Sequence, residues 1–229
     1  MRLGVATYNI KNGMGMNGEV SLAAIASAIT STRADLVGLQ EVDFLRPRSR
    51  FSIQSRKLGQ MLSMESVFGP TIKCFGLPRF GNAVLSKFPI IECVNYQLPS
   101  RWEQRCLLKV KVKIEAATIA FCCVHFGLNQ LERLKQAGKV VQYISAENLP
   151  LILVGDFNAG PESDEIKKIK TLFHPVDPEG LQPTFPANKP EHQIDYIFYS
   201  AHWKLIKTFV LDSQASDHLP LGAEFELNY

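Results

Sequence analysis

The chain has no apolar run approaching the roughly 20 residues needed to cross a bilayer, so integral membrane association is not expected. It has no C-x-x-C pair, which argues against a structural zinc site. Low-complexity tracts and inter-domain linkers are also missing, and neither sign of charge dominates. A formal net charge of +3 permits an anionic substrate without demanding nucleic acid, whose nonspecific binders usually carry a stronger basic footprint. The cysteines, Cys74, Cys93, Cys106, Cys122 and Cys123, are odd in number. The last four sit inside strand-like apolar stretches, where a free thiol behaves as a small buried hydrophobe. Reduced core cysteines are therefore expected, in keeping with a cytoplasmic protein. No basic-then-apolar leader precedes the opening strand at residues 2–8, so no secretory signal is expected. The 229 residues, 46% hydrophobic and 21% charged, suit one globular domain over 1–229, and a monomer is expected.

What is present is a mixed α/β pattern. Leu22, Ile25, Ala26 and Ile29 recur at helical spacing, as do Leu131, Leu134, Gly138, Val141 and Ile144, with a weaker amphipathic stretch at Gln54–Leu62. Residues 36–39 and 151–154 are short apolar runs that predict strands buried on both faces. Leu108, Val110, Val112 and Ile114 alternate with Lys109, Lys111 and Lys113, which predicts a half-solvated antiparallel strand with a solubilising row of lysines. Residues 174–190 are rich in proline and predict a long ordered loop. A second loop, 45–51, carries Arg46, Arg48 and Arg50.

Polar residues at the predicted strand ends repeat in two halves. In the first, a strand ends in Thr7-Tyr8-Asn9, a helix follows, and a buried strand ends in Gln40-Glu41. In the second, a strand ends in Val124-His125-Phe126, a helix follows, and a buried strand ends in Gly155-Asp156-Phe157-Asn158. Glu41 lies 32 positions after Asn9, and Asp156 lies 31 after His125 (41 − 9 and 156 − 125). Downstream, Asn82 and Arg105 match Asp195 and Asp217 in spacing. Two such units, each with one helix-covered sheet, would bury their remaining sheet faces against each other. The expected fold is α/β, a four-layer α/β/β/α sandwich of two mixed β-sheets. Asn9, Glu41, Asn82, Arg105, His125, Asp156, Asn158, Asp195, Asp217 and His218 would then meet in one cleft at a shared edge.

The segments Thr7-Tyr8-Asn9-Ile10, Leu39-Gln40-Glu41-Val42, Val124-His125-Phe126, Gly155-Asp156-Phe157-Asn158, Ile194-Asp195-Tyr196-Ile197-Phe198 and Ser216-Asp217-His218-Leu219-Pro220 resemble the ordered signatures of the endonuclease/exonuclease/phosphatase superfamily, with its deoxyribonuclease I-like fold. The likeness spans essentially the whole chain and is nearest to small bacterial metal-dependent hydrolases. It implies that Glu41, helped by Asn9, holds a metal, with Asp217 beside that metal or serving a second one. It implies that Asp156 orients or deprotonates the attacking water and that Asn158 holds the phosphate or that water. His218, paired with Asp195, and His125 would bind the non-bridging phosphate oxygens. Two departures argue against a DNA-repair role: Lys11 stands where many repair members carry Asp or Asn, and His125 stands where abasic-site nucleases carry Tyr.

Phosphate esters resist hydrolysis because their oxygens repel nucleophiles and their leaving groups are poor, and a metal answers both problems. Mg²⁺, with Mn²⁺ as a substitute, suits an oxygen-rich set such as Glu41, Asn9 and Asp217. Each motif alone has a plainer reading. Asp156-Phe157-Asn158 could cap a turn, His125 could be a satisfied core histidine, and Asp217-His218 could be a polar turn before Pro220. Arg105, expected with Asn82 to contact substrate, could be a surface charge beside Glu103. The functional expectation is a metal-dependent phosphoesterase, foremost a phosphodiesterase acting by in-line attack of an activated water. A nuclease acting on DNA or RNA is the alternative, with the arginines at 46, 48 and 50 as its only compact basic feature. A non-catalytic binding module of the same fold is the rival from another class, and it should have lost at least one of Glu41, Asp156, Asp195 or His218.

Overall fold

The computed structural model describes residues 1–74 and 77–228. Strands β1 (Arg2–Asn9), β2 (Leu36–Asp43), β3 (Glu65–Cys74), β4 (Leu77–Ser86), β11 (Trp203–Val210) and β12 (Leu221–Leu227) form one sheet in the order β11-β12-β1-β2-β4-β3. The second sheet has the order β5-β6-β7-β8-β10-β9, from β5 (Ile90–Leu98), β6 (Arg105–Ile114), β7 (Ala117–His125), β8 (Leu151–Asp156), β9 (His174–Pro175) and β10 (Asp195–Tyr199). The two orders are the same pattern twice. In each, a parallel pair (β1 with β2, β7 with β8) is joined by a helix, and an antiparallel neighbour follows (β4, β10). The joining helices are α1 (Leu22–Thr32) and α3 (Gln130–Ile144); α2 (Gln54–Leu62) and α4 (Asp164–Lys170) lie alongside them.

Three apolar layers follow from this wiring. The largest lies between the sheets and holds Leu3, Val5 and Leu36 against Val110, Phe121, Ile152 and Val154. Outside the first sheet, Ile25, Ala26 and Ile29 of α1 pack on Ala6, Tyr8, Val37 and Leu39. Outside the second, Ala137, Val140 and Ile144 of α3 pack on Cys122, Val124, Leu151 and Leu153. Helix, sheet, sheet and helix therefore stack as the expected α/β/β/α sandwich. Both joining helices start at side-chain caps: Ser21 accepts from the Ala24 N–H and Asn129 from the Glu132 N–H.

Three local expectations are corrected. The buried face of α3 is Glu132, Gln136, Ala137, Val140 and Ile144, so Leu131 is 70% exposed. The helix is turned because Gln136 bonds two loops at once, its Oε1 accepting from the Gly127 N–H (2.8 Å) and its Nε2 donating to the Pro99 carbonyl (2.9 Å). The lysine row of β6 is solvated only in part: Lys113 is exposed, but Lys109 is buried in an ion pair with Glu147 at 2.8 Å. Cys106, Cys122 and Cys123 are buried, but Cys93, on edge strand β5, is exposed. The side chain of Cys74 lies outside the described residues.

One register feature decides where the first half presents its polar group. His125 pairs directly with Asp156, whereas Asn9 pairs with Gln40, one residue short of Glu41. Between Leu39 and Val42 the pairing of β2 with β4 shifts, and Glu41 adopts a left-handed φ of 57°. This bulge inserts one residue and re-aims Glu41 at the edge. It also accounts for the unequal spacing of the two halves in sequence.

The sheets approach closely beneath that edge because Gly38 of β2 has no side chain. A Cβ there would run into Val154 and lie 3.2 Å from the Cys123 Sγ. Gly38→Ala should therefore cost about 1–3 kcal/mol of stability through overpacking. For a chain of this size that lowers Tm by about 2–4 °C per kcal/mol, readable by calorimetry. An unchanged Tm would show that the sheets are not in contact at this point.

Candidate active site

The polar residues at the strand ends do converge. Asn9, at the end of β1, donates through Nδ2 to Glu41 Oε1 and to Asp156 Oδ2, each at 3.0 Å. Its Oδ1 accepts from the Lys11 N–H at 3.1 Å, so the amide orientation is set by the following turn. One side chain thus ties a carboxylate of each sheet. The Oδ2 of Asp156 is also approached by His125 Nε2 at 3.5 Å and His218 Nε2 at 3.8 Å. Asp156 Oδ1 accepts from the Asn158 N–H at 2.9 Å, and Asn158, at φ 49°, donates from Nδ2 to the Phe126 carbonyl at 3.0 Å.

The two imidazoles are held differently. Arg105 Nη1 lies 3.1 Å from His125 Nδ1. A guanidinium only donates, so His125 Nδ1 accepts and the ring proton sits on Nε2, facing Asp156. Burial, then the charges of Arg105 and His218, push His125 well below the usual histidine range, and the ring is neutral. His218 Nδ1 is 2.8 Å from Asp195 Oδ2 and donates to it. Burial opposes its protonation, but Asp195, with Asp156 and Asp217, outweighs it and raises His218 to about 10. Asp195 is itself oriented by the Thr184 hydroxyl at 2.5 Å. Burial, and then the nearby Asp195, lift Asp156 to about 7.

These groups face a cleft of about 340 Å³ lined by Glu41, His125, Asp156, Asn158, Asp217 and His218, with Arg105 and Glu103 at one end and Phe185 beside the His218 ring. Asn9, Asp195 and Asn82, each 1% exposed, lie behind that surface. The Asn82 amide is directed at the Cys106 and Cys123 carbonyls of the opposite sheet (3.3 and 3.5 Å), where it joins the two sheets. Asp217 stands at the rim in an ion pair with Lys11 at 2.7 Å.

The donor chemistry fits a hard divalent cation. Glu41 receives a hydrogen bond from a neutral amide, has no basic partner within 4.0 Å among the described residues, and is raised by burial. A partly buried carboxylate without a counter-ion, close to a second carboxylate at the rim, is what an oxygen-seeking cation requires. Asp156, Asp195 and His218 also bring ligand atoms within 4.8 Å of one another. Asp195 and His218 are already bonded to each other there, so that cluster is better suited to orienting a proton donor than to coordination.

The model of the endonuclease/exonuclease/phosphatase family matches residues 6–218. The chain belongs to that family. Its members include phosphatases, nucleases and phosphodiesterases and are generally dependent on a divalent metal. A UPF0294 protein of Yersinia pseudotuberculosis is 33% identical over 110 residues, which cover 45% of this chain and 40% of that relative. The match therefore spans well under half the length of this curated relative. A family protein from Bacteroides thetaiotaomicron superposes with a TM-score of 0.83 at 21% identity, covering 100% of this chain and 99% of its own. The mannosyl-6-phosphatase of the same organism gives 0.82 at 20% identity over 98% of this chain and 100% of its own.

Several residues of the site were not singled out for it from the sequence. Glu103 pairs with Arg105 at 2.6 Å, the Ser216 hydroxyl donates to the Asn9 carbonyl at 2.7 Å, and Thr184 and Phe185 bring the proline-rich loop to Asp195 and His218. The sequence signals were their adjacency to Asp217 (Ser216) and their place in that loop (Thr184, Phe185).

The contrast between the imidazoles is measurable. In ¹⁵N-histidine spectra, one of the five histidines should stay neutral, with the proton on Nε2, well below the pH at which an ordinary imidazole protonates. A second should remain cationic above pH 8, and the His125→Gln and His218→Gln spectra assign them. Both rings titrating near 6.5 would contradict the geometry.

Proposed function

We propose that this chain hydrolyses a phosphate ester, foremost a phosphodiester, with Mg²⁺ held by Glu41 and Asp217 and positioned by Asn9. The observation that carries this reading is the convergence of His125 Nε2, His218 Nε2 and Asn9 Nδ2 on a single Asp156 oxygen, beside a carboxylate that lacks a counter-ion. Mn²⁺ should substitute. When bound, the cation neutralises phosphate charge and favours ionisation of water.

The residues divide the remaining work. Asp156, lifted to about 7, is a base matched to neutral pH and takes a proton from the attacking water as the water oxygen bonds to phosphorus; the ester P–O bond opposite it breaks, and the departing alcohol oxygen takes a proton from solvent. The N–H groups of His125 and His218, aimed at the Asp156 oxygen in the resting site, are placed to donate to the non-bridging phosphate oxygens. They stabilise charge as it develops, and His218 adds a full positive charge because Asp195 keeps it protonated. Asn158 fixes Asp156 through its backbone N–H and lines the cleft beside the phosphate position. Arg105 locks the His125 tautomer from behind, and Asn82 braces the two sheets below. Lys11 supplies next to Asp217 the charge that a second cation would otherwise bring, which favours a single metal.

The basic loop gives little support to a polymer substrate. Arg48 grips Asp43 with two hydrogen bonds (2.8 and 2.9 Å) and Asn12 with a third, so its guanidinium holds the 11–13 turn. Arg46 and Arg50 remain, fewer contacts than a phosphate track needs.

With Mg²⁺, the wild type should cleave bis(p-nitrophenyl) phosphate, and Glu41→Gln and Asp156→Asn should each lose about 10²–10⁴ in kcat/KM while keeping the wild-type circular dichroism. Equal activity in all three would refute the assignment. The pH profile follows from the two perturbed groups. Asp156 works unprotonated, so kcat/KM rises as pH climbs through about 7; His218 works protonated, so it falls as pH climbs through about 10. Asp195→Asn should bring the descending limb down toward 6.5, the ordinary histidine value. A limb unmoved in that variant would show that another group controls it.

A further inference from the structure

Next to the cleft lies a second concavity of about 440 Å³, walled by Trp102, Leu128, Asn129 and Glu132. Glu103, Arg105 and Leu128 line both cavities, so the two are continuous. Trp102 is 92% exposed, Leu128 79% and Leu131 70%, an unusual concentration of large apolar side chains beside a charged site. Their exposure does not come from slack loops. Gln136 joins the 99–104 and 126–129 loops to each other, Gln104 Nε2 donates to the Leu98 carbonyl (2.7 Å), and the Arg105 N–H donates to the Ser100 hydroxyl (3.0 Å). Between the cavities sits Arg105, 7% exposed, whose Nε has no hydrogen-bond partner among the described residues. A buried guanidinium N–H without an acceptor leaves Arg105 with one hydrogen bond to give, which a small shift of the side chain would offer to a ligand in the hollow.

We propose that this concavity is a subsite for a planar aromatic ring carried by the phosphate ester, such as a nucleobase, with Trp102 and Leu128 receiving the ring and Arg105 meeting the group that links it to the phosphate. The proposal rests on the reading of the neighbouring cleft as a phosphoesterase site. A ring suits the features better than a lipid bilayer does. Trp102 and Leu128 line a hollow that runs into the cleft, and the acidic Glu103 and Glu132 line it with them, where a membrane-entering loop would carry mainly basic residues. The hollow has the size of a small-molecule pocket, with a few fixed polar groups at its margin. Indole is also the best stacking surface that a protein offers a base, and the preference is tolerant of which base.

Trp102 reports on its own occupancy, because the only other tryptophan, Trp203, is 3% exposed. The experiment is a fluorescence titration of the full chain with Mg²⁺, using adenosine 5′-monophosphate against ribose 5-phosphate, and anionic phosphatidylglycerol vesicles as a third arm. Adenosine 5′-monophosphate should quench the exposed emission saturably and bind about tenfold more tightly than ribose 5-phosphate. Measured by titration calorimetry, which needs no indole, Trp102→Ala should erase that difference in affinity, and Trp102→Phe should keep most of it, which a purely structural role for the indole would not produce. Equal affinity for the two phosphates, or a blue shift with vesicles in place of quenching by the nucleotide, would overturn the subsite. Asp156→Asn separates the two readings. Quenching retained in a wild-type chain that hydrolyses no ester sinks the hydrolase reading alone, whereas hydrolysis lost in Asp156→Asn without any ring preference in the wild type sinks the subsite alone.

Discussion

The hydrogen bonds of Asn9 hold the centre of this structure. Its amide nitrogen reaches Glu41 in its own sheet and Asp156 in the other, both at 3.0 Å. Two carboxylates brought together in a buried edge would repel, and a neutral double donor lets them share one partner without supplying a charge of its own. The rest of the edge is arranged around that bridge. Gly38 allows the sheets to close, Ser216 fixes the Asn9 backbone, and Thr184 with Asp195 steadies the imidazole on the far side of Asp156.

The internal repeat explains how so few elements assemble the site. Asn9 and His125 end β1 and β7, and Glu41 and Asp156 come at or near the ends of β2 and β8, whereas Asn82 lies within β4 and Asp217 in the segment before β12. The scaffold places the first two pairs by the same wiring, and the side chains then diverge in chemistry. One half faces its carboxylate toward solvent with no basic partner, while the other buries its carboxylate against two imidazoles. The bulge at Gln40-Glu41 breaks the symmetry, and a single inserted residue moves an acid from beneath the edge to its rim.

Much of this was readable in the sequence, and the reasons are physical. Buried parallel strands have to be continuously apolar, so residues 36–39 and 151–154 identified themselves, and polar residues just past such runs have to emerge at the sheet edge. Contacts between side chains far apart in sequence left no such trace. Nothing in the spacing indicates that Arg105 fixes the His125 tautomer or that Arg48 reaches back to Asn12. The face of α3 was misplaced by one position because Glu132 and Gln136 are buried for their hydrogen bonds, and periodicity counts only apolar residues. Cys93 looked like a core residue because its neighbours are apolar, yet an edge strand exposes one face whatever its composition.

Lys11, Asn12 and Gly13 follow one another with φ of 42°, 59° and 79°, a run of left-handed backbone that L-residues resist. The Asn12 carbonyl is held by Gln54 and the Asn12 side chain by Arg48, which Asp43 in turn grips from full burial. The ammonium at the rim is therefore delivered by a clasp whose parts lie outside the lining of the cleft. A lesion at Asp43 would release that clasp, so a remote structural acid governs where the charge beside Asp217 stands.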